Sequence, residues 1–435
     1  MASSSKVPSG RLARFSSLAG LAGKLAGGML AEGARRMASG EKSNRRDLLL
    51  TPGNIKRVAD KLAHMRGAAM KMGQLLSMDA GDLIPAELAD VLARLRDNAN
   101  PMPPKQLASV LHAELGEGWQ RHFADFEFKP IAAASIGQVH RATHDNGQRL
   151  AVKVQYPGVK QSIHSDVDNV ASLLKFSGLL PAGMDYRALL DEAKVQLQRE
   201  ADYLQEASYM TRFHQHLQAD SRYLVPQPDT ALSTANLLVM QYVEGEPVEA
   251  LQQQPQALRD QVMKQLFELF FKELFEFQLV QTDPNFANYR YNLNTSQLVL
   301  LDFGACRDYS AEFSDAYRLL FVSALSKQEA GVEQAMRQIG FFSQDIEAIQ
   351  RERILQLVQL ACEPLQHDQP FDFSSSDLAN RIREAGTALS MQHNYWHTPP
   401  ADAIFLHRKI GGLYLLAARL KARVNVRALL QPYLD

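Results

Sequence analysis

The sequence predicts an α+β protein with more than one domain, in which a β-rich part is followed by a mostly helical part. The chain has 435 residues, more than one hydrophobic core usually organises. Hydrophobic residues make up 46% and charged residues 22%, the composition of a chain that folds around a core. Short β-type runs concentrate between residues 126 and 156, while helical spacing dominates the rest. These observations exclude a single small domain, a fibrous repeat and global disorder.

The first hundred residues are predicted to form a helical extension. Apolar residues at steps of three and four predict a helix from Asn54 to Met78. A second helix follows Pro85, and the segment 98–104 after it is typical of a linker or sharp turn. A further helix should run from about Pro104 to Leu115.

The β-rich part should contain two strands joined by a hairpin at residues 145–147. Residues 161–217 are predicted to be mostly helical, with one helix over Asp191–Phe213, and an apolar strand follows at Asn236–Val243. A helix from Leu258 to Val280 is apolar on nearly every face, which predicts a central position in the second part.

The segment after that long helix is predicted to return briefly to β structure. A short hairpin should follow Asp283 and end at the sequence Asp302-Phe303-Gly304. Helix-forming sequence resumes at about Ala311, and the remainder is predicted to be wholly helical.

Charge is unevenly distributed, although the formal net charge is only −1. Residues 1–71 contain 14 Lys and Arg against 4 Asp and Glu, so a basic segment precedes an acidic body. The stretch Leu18–Ala31 is too short to span a membrane, but its small residues and flanking arginines suit a membrane surface or a helix pair. A disordered or cleaved N-terminus fits the same residues. Only two cysteines occur, which favours a reducing compartment.

Four separated motifs follow the order of a kinase-like ATP site. The first is the turn Ala132–Val139, AAASIGQV, in which small residues would let the backbone approach a phosphate. Taken alone, such a segment is more often an ordinary tight turn. The candidate nucleotide-binding residues of this turn are Ala132, Ala133, Ala134, Ser135 and Gly137.

The second motif is Lys153, which lies in a predicted strand. A strand lysine can bridge the α- and β-phosphates of ATP when a carboxylate from a nearby helix holds it. The predicted helix 191–213 offers Glu200, Asp202 and Glu206. Spacing alone leaves the choice among these three carboxylates open.

The third and fourth motifs are the segment from Asp283 to Asn288 and the sequence Asp302-Phe303-Gly304. The spacing Asp-x4-Asn followed by Asp-Phe-Gly matches a kinase catalytic loop and metal-binding turn. Asn288 and Asp302 would supply the oxygen ligands that Mg²⁺ prefers. The motifs together predict a site for Mg-ATP.

The run Leu237–Gly245 fits a strand and hinge, where the backbone of Gln241, Tyr242 and Val243 would hydrogen-bond adenine. The pattern also departs from that of protein kinases. Asp283 follows Gln-Thr rather than His-Arg, and no Ala-Pro-Glu segment follows the fourth motif. A conventional protein kinase is therefore disfavoured.

A fifth motif, Lys71-Met72-Gly73-Gln74, lies on the predicted helix 54–78. Together with the Ala-rich turn, the Glu-x-Asp-Tyr sequence and QTDPN-x-x-N before Asp-Phe-Gly, it resembles the UbiB/ADCK family of atypical kinase-like proteins over about residues 50–430. The resemblance implies a bilobal protein-kinase-like fold with a helical KxGQ extension and a mostly helical C-terminal lobe. The implied divisions are a basic segment 1–45, the extension 46–122, an N-lobe 123–245 and a C-lobe 246–435.

The resemblance also implies roles for individual residues. Lys71 and Gln74 would belong to the extension that covers the place where a peptide would dock, facing the pair Glu200 and Asp202. Glu206 would then be the preferred partner of Lys153. The remaining roles implied are catalytic base for Asp283, Mg²⁺ ligands for Asn288 and Asp302, and nucleotide turn for Ala132–Ala134.

The leading hypothesis is a Mg-ATP-dependent ATPase, or a small-molecule or lipid kinase, that supports ubiquinone (coenzyme Q) biosynthesis at a membrane surface. The cofactors implied are ATP and Mg²⁺, and the partners are anionic lipid, isoprenoid-quinone intermediates and quinone-biosynthesis enzymes. A homodimer stays open. The location implied is peripheral to the inner membrane, on the cytoplasmic side in a bacterium or the matrix side in a mitochondrion.

The alternative hypothesis is a non-catalytic nucleotide-binding scaffold, a pseudokinase, that organises quinone-biosynthesis enzymes. Nucleic-acid binding is not expected, because only Phe15 interleaves the basic charges of the N-terminal segment.

Overall fold

The computed structural model describes residues 101–176, 187–283, 285–342, 346–393 and 399–434. The predicted helix 54–78, with Lys71 and Gln74, and the segment Leu18–Ala31 lie outside the described residues. The described chain divides into two compact units. The first contains the residues up to Ala207 and Pro228–Tyr242, and the second contains Ser208–Gln227 and the residues from Val243 onward.

The α-helices are, in chain order, α1 (Pro104–Leu115), α2 (Val159–Phe176), α3 (Arg187–Glu200), α4 (Tyr203–Leu217), α5 (Gln256–Lys272), α6 (Ala311–Leu325), α7 (Glu329–Ile339), α8 (Ala348–Ala361), α9 (Leu378–His393), α10 (Ala401–Arg419) and α11 (Val426–Leu430). The strands are β1 (Phe123–Phe126), β2 (Ala132–Ala133), β3 (Gly137–His144), β4 (Arg149–Gln155), β5 (Tyr223–Leu224), β6 (Leu237–Gln241), β7 (Glu246–Pro247), β8 (Leu279–Gln281), β9 (Tyr289–Asn292), β10 (Gln297–Leu300), β11 (Cys306–Asp308), β12 (Phe371–Asp372) and β13 (Arg423–Val424). The mixture confirms the predicted α+β class.

An antiparallel sheet organises the first unit, in the order β1-β3-β4-β6 with β2 also paired to β3. Side chains alternate across the strand β4, so that Val152 and Val154 lie in the hydrophobic core while Lys153 lies on the opposite face. Leu107 and Leu111 of α1 belong to the same core. The predicted position of α1 is thereby confirmed, and the helix covers one face of the sheet.

Residues 101–103, the described end of the predicted linker or sharp turn 98–104, form no helix or strand, but Met102 among them is part of this core. Met102 is only 2% exposed, and its backbone N–H donates to Gln138 Oε1 at 2.7 Å. The segment is held because its apolar side chain fills the core and its backbone bonds to β3.

The predicted helix over Asp191–Phe213 is two helices, α3 and α4. The backbone N–H of Tyr203 donates to Ala235 O at 3.1 Å instead of continuing the helical ladder. Gln155 Nε2 donates to Ala201 O, and Asp202 Oδ1 accepts from the N–H of Gln205 at 3.4 Å, as an N-cap does. Contacts from outside the helix therefore break it between Glu200 and Tyr203.

In the second unit α5 is buried on several sides, as predicted, but it ends at Lys272 rather than Val280. One π-helical turn, Glu273–Phe277, follows it, and Gln278 adopts a left-handed conformation with φ 50°. Leu279–Gln281 then forms β8, which pairs antiparallel with β11. Pairing with a distant strand overrides the local helical pattern.

A sheet of order β5-β10-β9-β7 and the helices α6–α11 complete the second unit. The prediction of a wholly helical remainder is wrong at β11, β12 and β13, which are two or three residues long and pair with segments far away in the sequence. Such short strands show no local periodicity. Within the described ranges no helix is long and apolar enough to cross a membrane.

Candidate functional site

Lys153 lies in the middle of the first unit's sheet, opposite Val139 of β3 and Leu238 of β6. Its ammonium is 2.8 and 2.9 Å from the two carboxylate oxygens of Glu206 on α4. The lysine is 7% exposed and the glutamate 2%. Of the three carboxylates that the sequence offers, Glu206 is thus the one in contact with Lys153. A paired carboxylate lets the ammonium stay charged although it is nearly buried.

Glu200 and Asp202 make other contacts. Ser135 Oγ donates to Glu200 Oε2 at 3.3 Å, which links the Ala-rich turn to the end of α3. Lys160 Nζ lies 3.5 Å from Asp202 Oδ2. The break between α3 and α4 therefore directs the three acidic residues to three different cations or hydroxyls.

The Ala-rich turn is tighter than the sequence predicts, because Ala132 and Ala133 already pair with β3. The N–H of Ala134 donates to Gly137 O at 3.0 Å and closes the turn. At Gly137, a Cβ would meet Val154 O at 2.3 Å and Tyr203 Oη at 2.8 Å. The glycine is thus required where β3 packs against β4.

The predicted hinge begins at the end of β6. The N–H of Tyr242 already donates to Arg149 O at 3.0 Å, so this donor is taken by the sheet. The Tyr242 ring lies under the guanidinium groups of Arg141 and Arg149, at 4.9 and 5.4 Å. Adenine recognition by Gln241 and Val243 stays a prediction.

In the second unit, two side-chain turns shape the segment from Asp283 to Asn288. Asp283 Oδ1 accepts from the N–H of Asn285 at 3.2 Å, and Asn285 Oδ1 accepts from the N–H of Ala287 at 3.2 Å. Such Asx turns are the reason why short polar residues recur here. They lead into a single 3₁₀ turn that ends at Asn288, which is 6% exposed.

The Asp302-Phe303-Gly304 sequence forms a turn anchored by its phenylalanine. Asp302 Oδ1 accepts from the N–H of Gly304 at 3.0 Å. Phe303 is 1% exposed, and its ring centroid is 4.9 Å from that of Phe213 on α4. Burial of the ring fixes the backbone next to the carboxylate.

Hydrogen bonds join these two motifs to each other at both ends. Thr282 Oγ1 donates to Ala305 O at 2.6 Å, and the N–H of Leu301 donates to Asn288 O at 3.0 Å. The carboxylates of Asp283 and Asp302 and the amide of Asn288 are therefore carried by segments that are held to one another within one unit.

The donor set of these segments fits Mg²⁺. It consists of carboxylate and amide oxygens, which hard divalent cations prefer. Asn288 Nδ2 is buried without a hydrogen-bond partner in the described part of the chain, so no hydrogen bond through this nitrogen fixes the side-chain amide. No cluster of three or more His, Cys, Asp and Glu suited to a metal occurs among the described residues. Two protein ligands suffice for Mg²⁺ when phosphates and water supply the others.

Lys409, a buried cation at the ends of this segment, was not predicted from the sequence. Lys409 of α10 is 2% exposed and donates to Gln281 O at 2.9 Å and to Tyr289 Oη at 2.8 Å. It also lies 3.1 Å from Glu273 Oε2. Burial alone lowers the pKa of Lys409, but attraction to Glu273 and the Tyr289 hydroxyl outweighs it and raises the pKa above its usual value. The signal available in the sequence was the basic run His407-Arg408-Lys409 between apolar helical segments.

The contact of Tyr203 with Lys153 was not predicted either. Tyr203 follows the Glu-x-Asp sequence, is fully buried, and lies with its ring centroid 5.1 Å from Lys153 Nζ. The lysine therefore has an aromatic face as well as a carboxylate as its neighbours.

The fold and the order of these motifs define a kinase-like protein. Residues 94–336 match the family described as the ABC1 atypical kinase-like domain. The chain belongs to this family, which confirms the resemblance to UbiB/ADCK proteins stated from the motifs.

Two mitochondrial relatives illustrate how far the similarity extends. The chain is 36% identical over 424 residues to "Atypical kinase COQ8, mitochondrial" of Saccharomyces cerevisiae, covering 97% of this chain and 84% of the relative. It is 37% identical over 428 residues to "Atypical kinase COQ8B, mitochondrial" of Rattus norvegicus, covering 98% of this chain and 81% of the relative.

Among solved structures, the complex of Rv3197 with erythromycin from Mycobacterium tuberculosis is similar in fold. It is matched with a TM-score of 0.62 at 24% identity, over 88% of this chain and 96% of that one. This similarity confirms the fold class.

Proposed function

We propose that the protein is a Mg-ATP-dependent enzyme, an ATPase or a small-molecule or lipid kinase, that supports coenzyme Q biosynthesis at a membrane surface. The observation that carries the proposal is the buried ion pair of Lys153 and Glu206. In kinases, a lysine placed in this way on a strand of the N-lobe sheet contacts the α- and β-phosphates of ATP. Its partner carboxylate orients the ammonium for that contact.

In the second unit, Asn288 and Asp302 would hold Mg²⁺, which when bound would neutralise charge on the phosphates. Asp283 would orient the attacking water or hydroxyl and accept its proton. The hydrogen bonds of Thr282 and Leu301 hold these groups in place before substrate binds, which reduces the entropic cost of ordering them during the reaction.

The coenzyme Q assignment is supported by the relatives, whose names are COQ8 and COQ8B and carry the word mitochondrial. The basic segment 1–71 supports contact with anionic lipid. Isoprenoid-quinone intermediates and quinone-biosynthesis enzymes are the partners proposed. The mitochondrial matrix side, or the cytoplasmic face of a bacterial inner membrane, is the location proposed.

The test is phosphate release from Mg-ATP, with and without vesicles of anionic lipid, by the purified full chain and by Asp302→Asn. We expect the variant to lose about 100-fold or more in turnover, as is typical when a group that stabilises transferring phosphate is removed. Asp308→Asn is the matched control. It changes an exposed carboxylate paired with Arg212 and should turn over like the unaltered protein.

The same experiment separates the enzyme from the nucleotide-binding scaffold. Equal phosphate release by the Asp302→Asn variant and the unaltered chain would refute the site. If neither releases phosphate, although ATP stabilises the fold by about 2.7 kcal/mol at a hundredfold excess over the dissociation constant, the scaffold replaces the enzyme.

A further inference from the structure

Lys409 reaches both ends of the segment that contains Asp283 and Asn288. Gln281, the last residue of β8, lies two positions before Asp283, and Tyr289, the first residue of β9, directly follows Asn288. The ammonium of Lys409 donates to Gln281 O at 2.9 Å and to Tyr289 Oη at 2.8 Å. Lys409 therefore contacts one residue just before the segment, Gln281, and one just after it, Tyr289.

The contact is closed into a ring of hydrogen bonds. Tyr289 Oη donates to Gln281 Oε1 at 3.0 Å, and Lys409 Nζ is 3.2 Å from the same oxygen. Tyr289 is 4% exposed and Gln281 is also 4% exposed. Within this ring the two ends of the segment bond to each other as well as to the lysine, so their separation is set by short polar contacts in a dry environment.

Glu273 supplies the opposite charge. It lies in the π-helical turn after α5, is 1% exposed, and approaches Lys409 Nζ at 3.1 Å. The ammonium has three protons and meets a carboxylate, a carbonyl, an amide oxygen and a hydroxyl. Glu273 thus provides the counter-charge of Lys409, and the ammonium has enough acceptors for all three of its protons.

We propose that Lys409 is a positioning residue, which sets the geometry of Asp283 and Asn288 by holding the Gln281 backbone at one end of their segment and the Tyr289 side chain at the other. The inference rests on the proposed function, since it assigns those two residues to catalysis. A buried ion pair is often no more stabilising than apolar residues of the same size. Its polar contacts at Gln281 and Tyr289 are the part that apolar residues could not replace.

The test replaces the ion pair by apolar residues of similar size in the full chain, as the double variant Lys409→Met with Glu273→Leu. It removes both charges together, so no unpaired charge stays buried. We expect kcat for phosphate release to fall about 10- to 100-fold, as for a small displacement of reacting groups. The KM for Mg-ATP should change by a smaller factor than kcat, because this substitution leaves Lys153 and Glu206 of the first unit unaltered.

A second readout does not depend on turnover. Amide hydrogen exchange should become about tenfold faster or more in residues 282–288 of the double variant, because the ends of the segment are no longer held. Lys272→Met is the matched control. This lysine also pairs with acidic residues, Asp220 and Glu268, in the second unit, and its loss should leave both kcat and exchange in residues 282–288 unchanged.

Tyr289→Phe keeps the proposal testable if the double variant does not fold. It removes one hydroxyl from the ring of bonds and should lower kcat at least about fivefold, with faster exchange in residues 282–288. A folded Tyr289→Phe variant with unaltered kcat and unaltered exchange overturns the positioning role.

The two hypotheses fail in different ways. If the unaltered protein releases no phosphate from Mg-ATP, the proposed function fails, and hydrogen exchange alone decides whether Lys409 orders the segment. If the unaltered protein is active and the folded double variant matches it in kcat and in exchange, the positioning role fails while the proposed function stands.

Discussion

Glu206 is the counter-charge of a lysine that is almost completely buried. Without this carboxylate the ammonium of Lys153 would lose its buried counter-charge, while the Tyr203 ring centroid lies 5.1 Å from it. A buried charge that loses its partner costs several kcal/mol, because it has been taken out of water without compensation. The stability of the first unit thus depends in part on this ion pair, as does the proposed contact of Lys153 with phosphate.

We predict that Glu206→Gln lowers the free energy of unfolding by about 3 to 5 kcal/mol, the cost of breaking a buried ion pair. Chemical denaturation followed by circular dichroism measures the change. Glu127→Gln is the control, because Glu127 pairs with Arg141 at the surface, where both side chains are 41% exposed, and should cost less than about 1 kcal/mol.

A double variant, Lys153→Met with Glu206→Leu, should recover most of the lost stability but not phosphate release, since the charge that we propose to contact ATP is absent. Equal stability of Glu206→Gln and the unaltered protein would contradict the prediction, as would a double variant with normal turnover.

Strand packing explains the one glycine of the Ala-rich turn. A Cβ at Gly137 would lie 2.3 Å from the backbone oxygen of Val154, which cannot move without disturbing the pairing of β3 with β4. The requirement for glycine comes from this approach of two strands. The alanines before it pair with β3 or close the turn, so the Ala-rich turn is built as the tip of a hairpin.

Gly137→Ala should therefore destabilise the protein by about 1 to 3 kcal/mol, the usual cost of adding a methyl group where no space exists. Thermal or chemical unfolding measures the effect. Gly386→Ala is the control of opposite sign, because this glycine of α9 has no atom within 4 Å of the added Cβ and alanine favours a helix by about 0.5 to 1 kcal/mol. A Gly137→Ala variant as stable as the unaltered chain would show that the strands can separate freely.

Local patterns predicted the elements best where the periodicity was strong and the ends were marked. α1 spans Pro104–Leu115 and α6 begins at Ala311, both as predicted, because proline and a serine cap mark their first turns. The break after Glu200 and the strand β8 were not predictable in this way. Each results from a hydrogen bond to a segment that is distant in the sequence.

At the level of the whole chain, charge separates the N-terminal segment from the rest. Residues 1–71 carry an excess of ten positive charges, while the formal net charge of the protein is −1. Anionic membranes attract basic segments by about 1 kcal/mol for each Lys or Arg near the surface. The attraction is screened by salt, so it predicts a salt-dependent association.

We predict that the full chain cosediments with vesicles rich in anionic phospholipid and not with neutral vesicles, and that high salt reduces binding. Replacing Arg11, Arg14, Arg35 and Arg36 by Gln should weaken binding at least about tenfold, as the loss of several surface attractions implies. The control replaces four exposed arginines of the second unit, Arg337, Arg353, Arg419 and Arg423, by Gln and so removes the same net charge. Equal loss of binding in both variants would show that net charge, not the N-terminal segment, governs association.

The amino-acid sequence by itself determined the family, the α+β class and the identity of the residues proposed for ATP and Mg²⁺. These properties reside in short motifs and in local periodicity, which the order of residues displays directly. The roles of Lys71 and Gln74 stay predictions, since both lie outside the described residues.

Only the tertiary structure decided which of three carboxylates meets Lys153, why Gly137 has no side chain, and that Lys409 joins the two ends of the segment around Asp283. In each case the partners lie 17 to 136 positions apart in the sequence, as with Gly137 and Val154, Lys153 and Glu206, and Glu273 and Lys409. Burial makes such contacts strong, because polar groups removed from water must find partners inside the fold. The choice among partners follows from packing, which local sequence does not display.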